Sequence, residues 1–492
     1  MSGKPLRDTA PNFVLAILSL GFLMTFIDLT VMNVAIPAIS ADLNVGMDSL
    51  LWAVNSYVLV VSFLLITMGR LGDIVGTRNM FLLGVALFSA ASAGVGASRT
   101  AAQMISFRAL QGVGTSMLLP QTLAILVQVF PPEKRGAAFG TWGTVAGAAA
   151  IAGPFLGGLV VSTVGWRWIF LINVPVGLLV LPLGWQFLPA GKSAQKASLD
   201  ILGAILISVV LFSVTYIFME IRSQGWSVVM QAFGGAAAVA ALILFRQQSR
   251  RQDQSPLIPF GLFSAEGFAT MNLVMACSSI SIVALMLIIS IFLQTGLNYS
   301  AFYAGLAIVP ASLMSMLLAR YTGGLTDRYS GRNVVFSGLL ISAAGVMFLI
   351  WAMNLAVGGT VSVADAGLGQ VPEKFWYFIA PMVLVGIGNA CVVAPTNATA
   401  MRRVPSELAG AASGILNTVR QIGFVGAVTM TNFLIEWRIG QSLDVKAQKD
   451  AALIAHALPD VMWLPAAAMI TGAIVCRTVR GADERVKLEA RT

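Results

Sequence analysis

Apolar runs of about 20 residues, separated by short polar segments, recur along the whole chain. A helix needs about 20 such residues to cross a hydrocarbon layer roughly 30 Å thick. Counting runs of that length predicts spans near 13–37, 49–69, 79–98, 101–127, 136–161, 168–188, 199–219 and 226–245. A second series follows near 268–293, 300–320, 333–354, 375–397, 408–435 and 460–477, fourteen in all. The pattern therefore predicts an all-α membrane protein, and an even number of crossings puts both termini on one side.

Composition agrees with this. The 492 residues are 57% hydrophobic and 10% charged, with a mean hydropathy of +0.85. Soluble domains carry about 25% charged residues. The net charge of +9 does not call for nucleic acid, because Lys and Arg sit in short loops rather than along one face. With the termini inside, the inner segments hold roughly three times as many basic residues as the outer ones, a firm positive-inside bias. Both ends are therefore expected in the cytoplasm. The start (Lys4, Arg7, then apolar residues) has the outline of a secretory signal, but the run is too long for one and more spans follow. Cys277, Cys391 and Cys476 are isolated and offer no disulfide framework or zinc spacing. The single histidine, His456, reads as part of a polar loop, and one histidine leaves metal clusters and His-based triads without material.

Two echoes point to an internal duplication. Gly69-Arg70-Leu71-Gly72-Asp73 recurs as Gly323-Gly324-Leu325-Thr326-Asp327, and Gly136-Ala137-Ala138-Phe139-Gly140 recurs as Gly410-Ala411-Ala412-Ser413-Gly414. A long outer loop near 355–375 accounts for the unequal offsets. The expected organisation is an N-terminal six-helix bundle over 1–190, two inserted helices over 191–265, and a C-terminal six-helix bundle over 266–492. Parallel six-helix repeats are an architecture of secondary transporters, with the substrate site near the bilayer middle.

One acid stands out. Asp28 lies roughly 22 Å along the first span from Phe13 and roughly 13 Å from Pro37, deep in the outer half of the layer. A charge at that depth costs a few kcal/mol and marks a cavity or a partner. Arg108, in the fourth span, lies at similar depth. Desolvation favours a neutral acid and a nearby cation favours the carboxylate, so such a pair can load and release a proton. A static ion pair, or two separately hydrated groups, is the plainer reading.

The motifs around these residues resemble a known family. Asp28-Leu29-Thr30-Val31-Met32-Asn33-Val34-Ala35-Ile36-Pro37 is similar to the first-helix signature of the fourteen-span drug–proton antiporters, the EmrB/QacA-type branch of the major facilitator superfamily. Gly69 to Arg78, including Gly76, resembles the superfamily's loop between helices two and three. Arg108-Ala109-Leu110-Gln111-Gly112-Val113-Gly114 resembles its fourth-helix R-x-x-Q-G-x-G. Gly147 with Gly153-Pro154-Phe155-Leu156-Gly157-Gly158 resembles the fifth-helix antiporter motif, and Trp166 to Gly177 resembles the branch's entry to helix six. The match keeps motif order through the chain.

The resemblance implies two pseudo-symmetric six-helix bundles in alternating access, with two extra helices between them. Physical readings fit the motifs. Gly69 and Gly72 permit a close turn, and Asp73, read as the start of the third span, suits a helix N-terminus. Near Arg78 it can latch the inner side of the two halves; a simple cap is the plainer alternative. Asp327, Arg328 and Arg332 repeat the arrangement in the second copy. Ile74 and Thr77 replace basic residues usual in the family, which weakens the first latch. Gly147, Gly153, Pro154, Gly157 and Gly158 form a smooth, kinked face for a sliding contact, or for ordinary tight packing.

A substrate cavity is expected from Asn33, Trp52, Tyr57, Gln111, Trp142, Gln294, Asn389, Asn397 and Arg420. Trp52 and Trp142 can instead belong to an aromatic belt. Arg420, deep in the thirteenth span and also matching the branch, can meet carbonyls, Asn389 or Asn397, or bind an anion. Asp200, Glu220 and Glu266 read as interfacial. No acid lies deep in the tenth to thirteenth spans, apart from their edges. Some members of the family this chain resembles carry a second deep carboxylate there for dicationic drugs, so the resemblance implies that dications are doubtful substrates.

The resulting expectation is a proton-coupled exporter of amphipathic, aromatic or monocationic drugs in the cytoplasmic membrane, driven by protons on Asp28. The nearer alternative is export of an endogenous metabolite, lipid or self-made antibiotic on the same fold. An enzyme or receptor would need converging catalytic groups or a soluble domain, and the polar loops of about 25 residues hold neither. No cofactor or metal is implied, since the gradient supplies the energy. The expected partners are small molecules, protons and the bilayer; the chain is expected to be a monomer, and a periplasmic adaptor is left open.

Overall fold

The computed structural model describes residues 11–190, 199–224, 227–252, 256–265, 267–357, 373–439 and 451–478. Helices account for nearly all of them, and there is no strand among the described residues. The first eight are α1 (Pro11–Leu43), α2 (Met47–Val75), α3 (Thr77–Gly96), α4 (Ala101–Val129), α5 (Arg135–Thr163), the short α6 (Arg167–Leu171), α7 (Asn173–Phe187) and α8 (Ile201–Gln224). Then come α9 (Val228–Arg250), the short α10 (Gly261–Ser264), α11 (Phe268–Ile291), α12 (Ala301–Arg328) and α13 (Gly331–Val357). The chain closes with α14 (Ile379–Met401), α15 (Ala409–Ile439), α16 (Ala451–Val461) and α17 (Trp463–Thr478).

Twelve stretches of the described residues are long and apolar enough to cross a membrane. The two expected spans outside that set are α5 and α15, of 29 and 31 residues. Their length suffices, but both are rich in Gly and Ala, which are small rather than oily, and α15 carries Asn417, Arg420 and Gln421 near its middle. The last span also differs from expectation. It runs over Ala452–Arg477, so His456 lies in α16 rather than in a loop.

The helices gather into two compact units. The first comprises Met1–Ala138, Ala148–Ala265 and Met401–Thr418; the second comprises Phe139–Gly147, Glu266–Ala400 and Val419–Thr492. In the first, α4 packs along α2 and α3, and α8 with α9 forms a hairpin laid on α2. Glycine makes the α3–α4 approach possible, since a Cβ on Gly84 would stand 2.8 Å from the Gly114 carbonyl oxygen. Where lipid removes the hydrophobic drive between helices, such close contact supplies the packing energy. In the second unit α17 packs on α11 and α13, over a core that includes Phe292, Phe378, Leu349 and Met382.

The echoed sequences occupy equivalent places. Gly69–Asp73 closes α2 and Gly323–Asp327 closes α12, while Gly136–Gly140 opens α5 and Gly410–Gly414 opens α15. The loop expected near 355–375 lies mostly outside the described residues.

Candidate functional site

Within the first unit, α1 and α4 bring Asp28 and Arg108 together as the sequence predicts. Arg108 Nη1 donates to Asp28 Oδ2 at 2.5 Å, and neither side chain has accessible surface. Gln111, one turn along α4, completes the arrangement. Its Nε2 donates to Asp28 Oδ1 at 3.2 Å and its Oε1 accepts from Arg108 Nη1 at 2.9 Å. The same amide nitrogen donates to Ser92 Oγ at 2.6 Å, and Asn173 Nδ2 reaches that hydroxyl at 3.3 Å. Arg108 Nε meets the Ala53 carbonyl at 3.4 Å. Its guanidinium lies over the Tyr57 ring at 4.5 Å and the Phe170 ring at 5.8 Å, and Tyr57 is held by a 3.1 Å hydroxyl contact with Thr115.

This is a closed polar knot in an apolar bundle. Buried charges of this kind persist only when paired and hydrogen-bonded. One donor is left over: Arg108 Nη2 is buried without a hydrogen-bond partner among the described residues. Tyr57 and Gln111, expected in a substrate cavity, therefore belong to the ion-pair site, at 4% and 0% exposure. Ser92 and Asn173 complete it without a signal in the sequence. Asn173 stands in a quoted motif, but nothing in its spacing points to Asp28.

Asp73 shows a clearer departure. Gly69 and Gly72 do not make a turn; both lie inside α2, and the turn falls at Gly76 with φ of 103°. Nor does Asp73 start α3. It lies near the end of α2 and accepts from the Gly410 and Ala411 amides at 2.8 and 3.0 Å. The helix N-terminus it serves is that of α15, whose first amides have no partner within their own helix. Gly69 is there for clearance, because a Cβ on it would stand 2.4 Å from the Gly410 carbonyl oxygen. Arg70 sits 3.6 Å from Asp73. Arg78 turns elsewhere, its guanidinium 4.9 Å from the centre of the Trp185 ring.

A second clasp beside it has no signature in the sequence. Arg135, at the start of α5, donates to Val127 O (2.9 Å), Phe130 O (3.2 Å), Met401 O (3.0 Å) and Arg402 O (3.0 Å). It ties the open carbonyls ending α4 to those ending α14. In the second copy, Arg332 does comparable work on α17, donating to Cys476 O at 2.8 Å and to Arg477 O. Asp327 is partly buried one residue before the end of α12, and Arg328 is exposed at that end.

The remaining predicted residues are dispersed. In the second unit, Arg420 is partly exposed and its guanidinium lies 5.8 Å from the centre of the Trp142 ring, which is buried. Asn389 accepts from Ser342 at 3.4 Å, Asn397 donates to Val393 O at 3.0 Å, and exposed Gln294 donates to Ser290 at 2.8 Å. Trp52, 38% exposed, stands 6.3 Å from Tyr216. A Cβ on Gly147 would meet Met316 at 3.0 Å, and one on Gly157 would meet Val31 at 2.9 Å; Gly153 is buried. The side chains of Asn33 and Pro154, with Gly158, lie outside the described residues, as does Glu266. Asp200 immediately precedes the Ile201–Glu220 span, at the expected span end. It is buried and accepts from Gly203 N, Gln247, Gln248 and Arg251 at 2.5–3.2 Å, clamping α8 to α9. No group of three or more potential metal ligands occurs among the described residues.

Twelve helices of the described residues, long and apolar enough to cross a membrane and with a fully buried ion pair among them, fit a multi-pass membrane transporter. The Major Facilitator Superfamily model matches residues 18–221 and 201–428, and the chain belongs to that family. It is 31% identical over 423 residues to the tetracenomycin C resistance and export protein of Streptomyces glaucescens, covering 86% of this chain and 75% of that one. It is 32% identical over 418 residues to the puromycin resistance protein pur8 of Streptomyces alboniger, covering 83% and 79%. Among solved structures, the proton:xylose symporter XylE matches with a TM-score of 0.61 at 14% identity, over 96% of each chain, a likeness of fold.

Proposed function

We propose that this protein exports amphipathic aromatic or monocationic drugs from the cytoplasm in exchange for protons, by alternating access. The observation that carries the reading is the fully buried Asp28–Arg108–Gln111 knot. It supports a cycle in which Asp28 accepts a proton from outside and Arg108 loses its counter-charge. The bundle then settles into the arrangement that lets the proton leave inward. Breaking one side of a buried pair costs about 3–5 kcal/mol, enough to bias a two-state equilibrium by a hundredfold or more. Asp73 on the α15 amides and Arg135 on the α14 carbonyls are the groups we assign to holding one of those states. The family membership and the drug-resistance names of the relatives support export as the direction. Fourteen crossings, with α5 and α15 included, cytoplasmic termini, and six-helix halves on either side of α8 and α9 complete the proposal.

The pairing of Asp28 bears on how substrate and proton are coupled. A cation reaches this carboxylate only by displacing Arg108, so coupling through the state of the pair is the economical route. Export of a self-made compound is the second reading, favoured by the relative from Streptomyces glaucescens named for both resistance and export. The test is pH-gradient-driven efflux from proteoliposomes over a compound panel, wild type against Asp28→Asn. Loss of gradient-driven efflux in the variant is expected; efflux that survives it would remove the proposal.

A further inference from the structure

The ring of Tyr57 has no part in the proton cycle above, yet it is built against the cation of the ion pair. Arg108 Cζ stands 4.5 Å from its centroid. The ring is held in place from several sides. It is 4% exposed, packs with Met24, Val61, Leu65 and Phe88, and meets Thr115 Oγ1 through its hydroxyl at 3.1 Å. Thr115 follows Arg108 by about two turns of α4. One helix therefore carries both the cation over the ring face and the group that fixes the ring's far end.

The wall around the guanidinium offers further neutral partners. The Ala53 carbonyl, one turn before Tyr57 on α2, accepts from Arg108 Nε at 3.4 Å, and the Phe170 ring of α6 lies at 5.8 Å. Partners of this kind suit a cation that has no anion, which is what Arg108 becomes once Asp28 carries a proton. Nor does the ion pair use the whole guanidinium, since Nη2 is buried without a hydrogen-bond partner among the described residues.

A cation over a ring face is held by the ring quadrupole, most strongly where water is excluded. While Asp28 is ionised, its carboxylate holds the guanidinium at 2.5 Å. Once it is neutral that pull is gone, and the ring face, the Ala53 carbonyl and Gln111 Oε1 remain. An attraction that counts most when the acid is neutral favours the protonated form. The groups that meet the pair come from every neighbouring helix: Gln111 beside Arg108 on α4, Tyr57 on α2 and Phe170 on α6, with Ser92 of α3 and Asn173 of α7 behind Gln111. Of this set only Arg108 and Tyr57 are charged or titratable.

We propose that Tyr57 is a positioning residue for proton exchange: its ring face takes up the Arg108 guanidinium when Asp28 is protonated, and so sets the pH at which Asp28 loads. The phenol oxygen serves to fix the ring. This rests on the reading that Asp28 carries the coupled proton, and it names what tunes that step.

The test follows protonation of Asp28 in the full chain in nanodiscs, by the infrared carbonyl band that Asp28→Asn removes. Tyr57→Phe keeps the ring and Tyr57→Leu removes it. Pentafluorophenylalanine at position 57 keeps the shape and withdraws electron density from the ring face. Tyr57→Phe should titrate close to wild type. Tyr57→Leu and the fluorinated ring should both move half-protonation toward acid by about half a unit to one unit, roughly three- to tenfold in proton affinity. Because the fluorinated ring packs as Phe does, it keeps the test decisive if Tyr57→Leu folds poorly. A fluorinated ring that titrates like Phe makes Tyr57 a packing residue and overturns the proposal, as does a Tyr57→Phe shift as large as that of Tyr57→Leu. The expected shifts in a protein whose wild type shows no gradient-driven efflux from proteoliposomes would keep the positioning role and refute the pump. An Asp28 that takes no proton between about pH 4 and pH 9 would overturn both.

Discussion

Removing Arg108 alone should do more damage than removing it together with Asp28. In Arg108→Gln the Asp28 carboxylate stays at zero exposure and, among the described residues, keeps the 3.2 Å bond from Gln111. In Asp28→Asn the guanidinium stays buried with one donor already unpartnered and loses its anion. Each single change therefore leaves an uncompensated charge in low dielectric, worth about 3–5 kcal/mol. The double variant removes both charges and leaves two amides able to bond, so it should lie closer to wild type than either single does. The expected interaction energy is about 2 kcal/mol or more, well beyond the roughly 0.5 kcal/mol within which independent sites add. The assay is reversible unfolding in mixed micelles followed by tryptophan fluorescence, on all four proteins at one pH. If the two singles simply add in the double, the groups are separately solvated and the knot does not exist as described.

Asp73→Asn should weaken the hold on the α15 amides by about 1–2 kcal/mol, the upper range for a carboxylate at a partly buried helix start. In the unfolding assay it should lower stability by that amount, and a cysteine introduced at the Gly410 end of α15 should become more accessible. Gly69→Ala should have the same accessibility signature with a larger stability loss of about 1–3 kcal/mol, because its Cβ would collide with a backbone oxygen that cannot swing aside. Arg135→Lys should cost about 1–3 kcal/mol in the same unfolding assay, since an ammonium cannot reach all four carbonyls. The exposed pair of Asp42 and Arg167 (2.6 Å) supplies a pH signature. The hydrogen bonds from Arg167 and then Trp166 hold the Asp42 carboxyl below its usual 3.8. Its contribution is therefore present above the ordinary carboxylate range and lost as pH falls through the lowered folded value. Asp42→Asn should flatten the stability–pH curve below about pH 4 and lower it by a constant amount above that range, including at pH 7.

Much of this is legible in the sequence because hydrocarbon penalises polarity so heavily. Asp28 and Arg108 stand out by depth alone; their similar depth makes a pair one reading, and the side-chain positions bring them into contact. Gln111 shows only as a polar residue on the right helix, and its bridging role needs the side-chain positions. Asp73 reads as serving a helix N-terminus, but the wrong one. Its true partners, the Gly410 and Ala411 amides, are backbone groups, which every sequence has everywhere. Arg135 escapes for the same reason, since all four acceptors are main-chain carbonyls. Asp200 stands at a span end, where water is the default partner. The glutamines that bury it lie a whole hairpin away, on α9. His456 reads as loop because polarity near a span edge does not distinguish a helix end from a turn.

Counting protons tests the central claim most directly. In weakly buffered detergent solution, an exported compound is added to the purified protein and the pH change is read with a dye. Wild type should exchange protons with a stoichiometry that varies with pH, and Asp28→Asn should bind the compound without exchanging any. Equal proton exchange by both proteins would place the coupling group elsewhere and contradict the account.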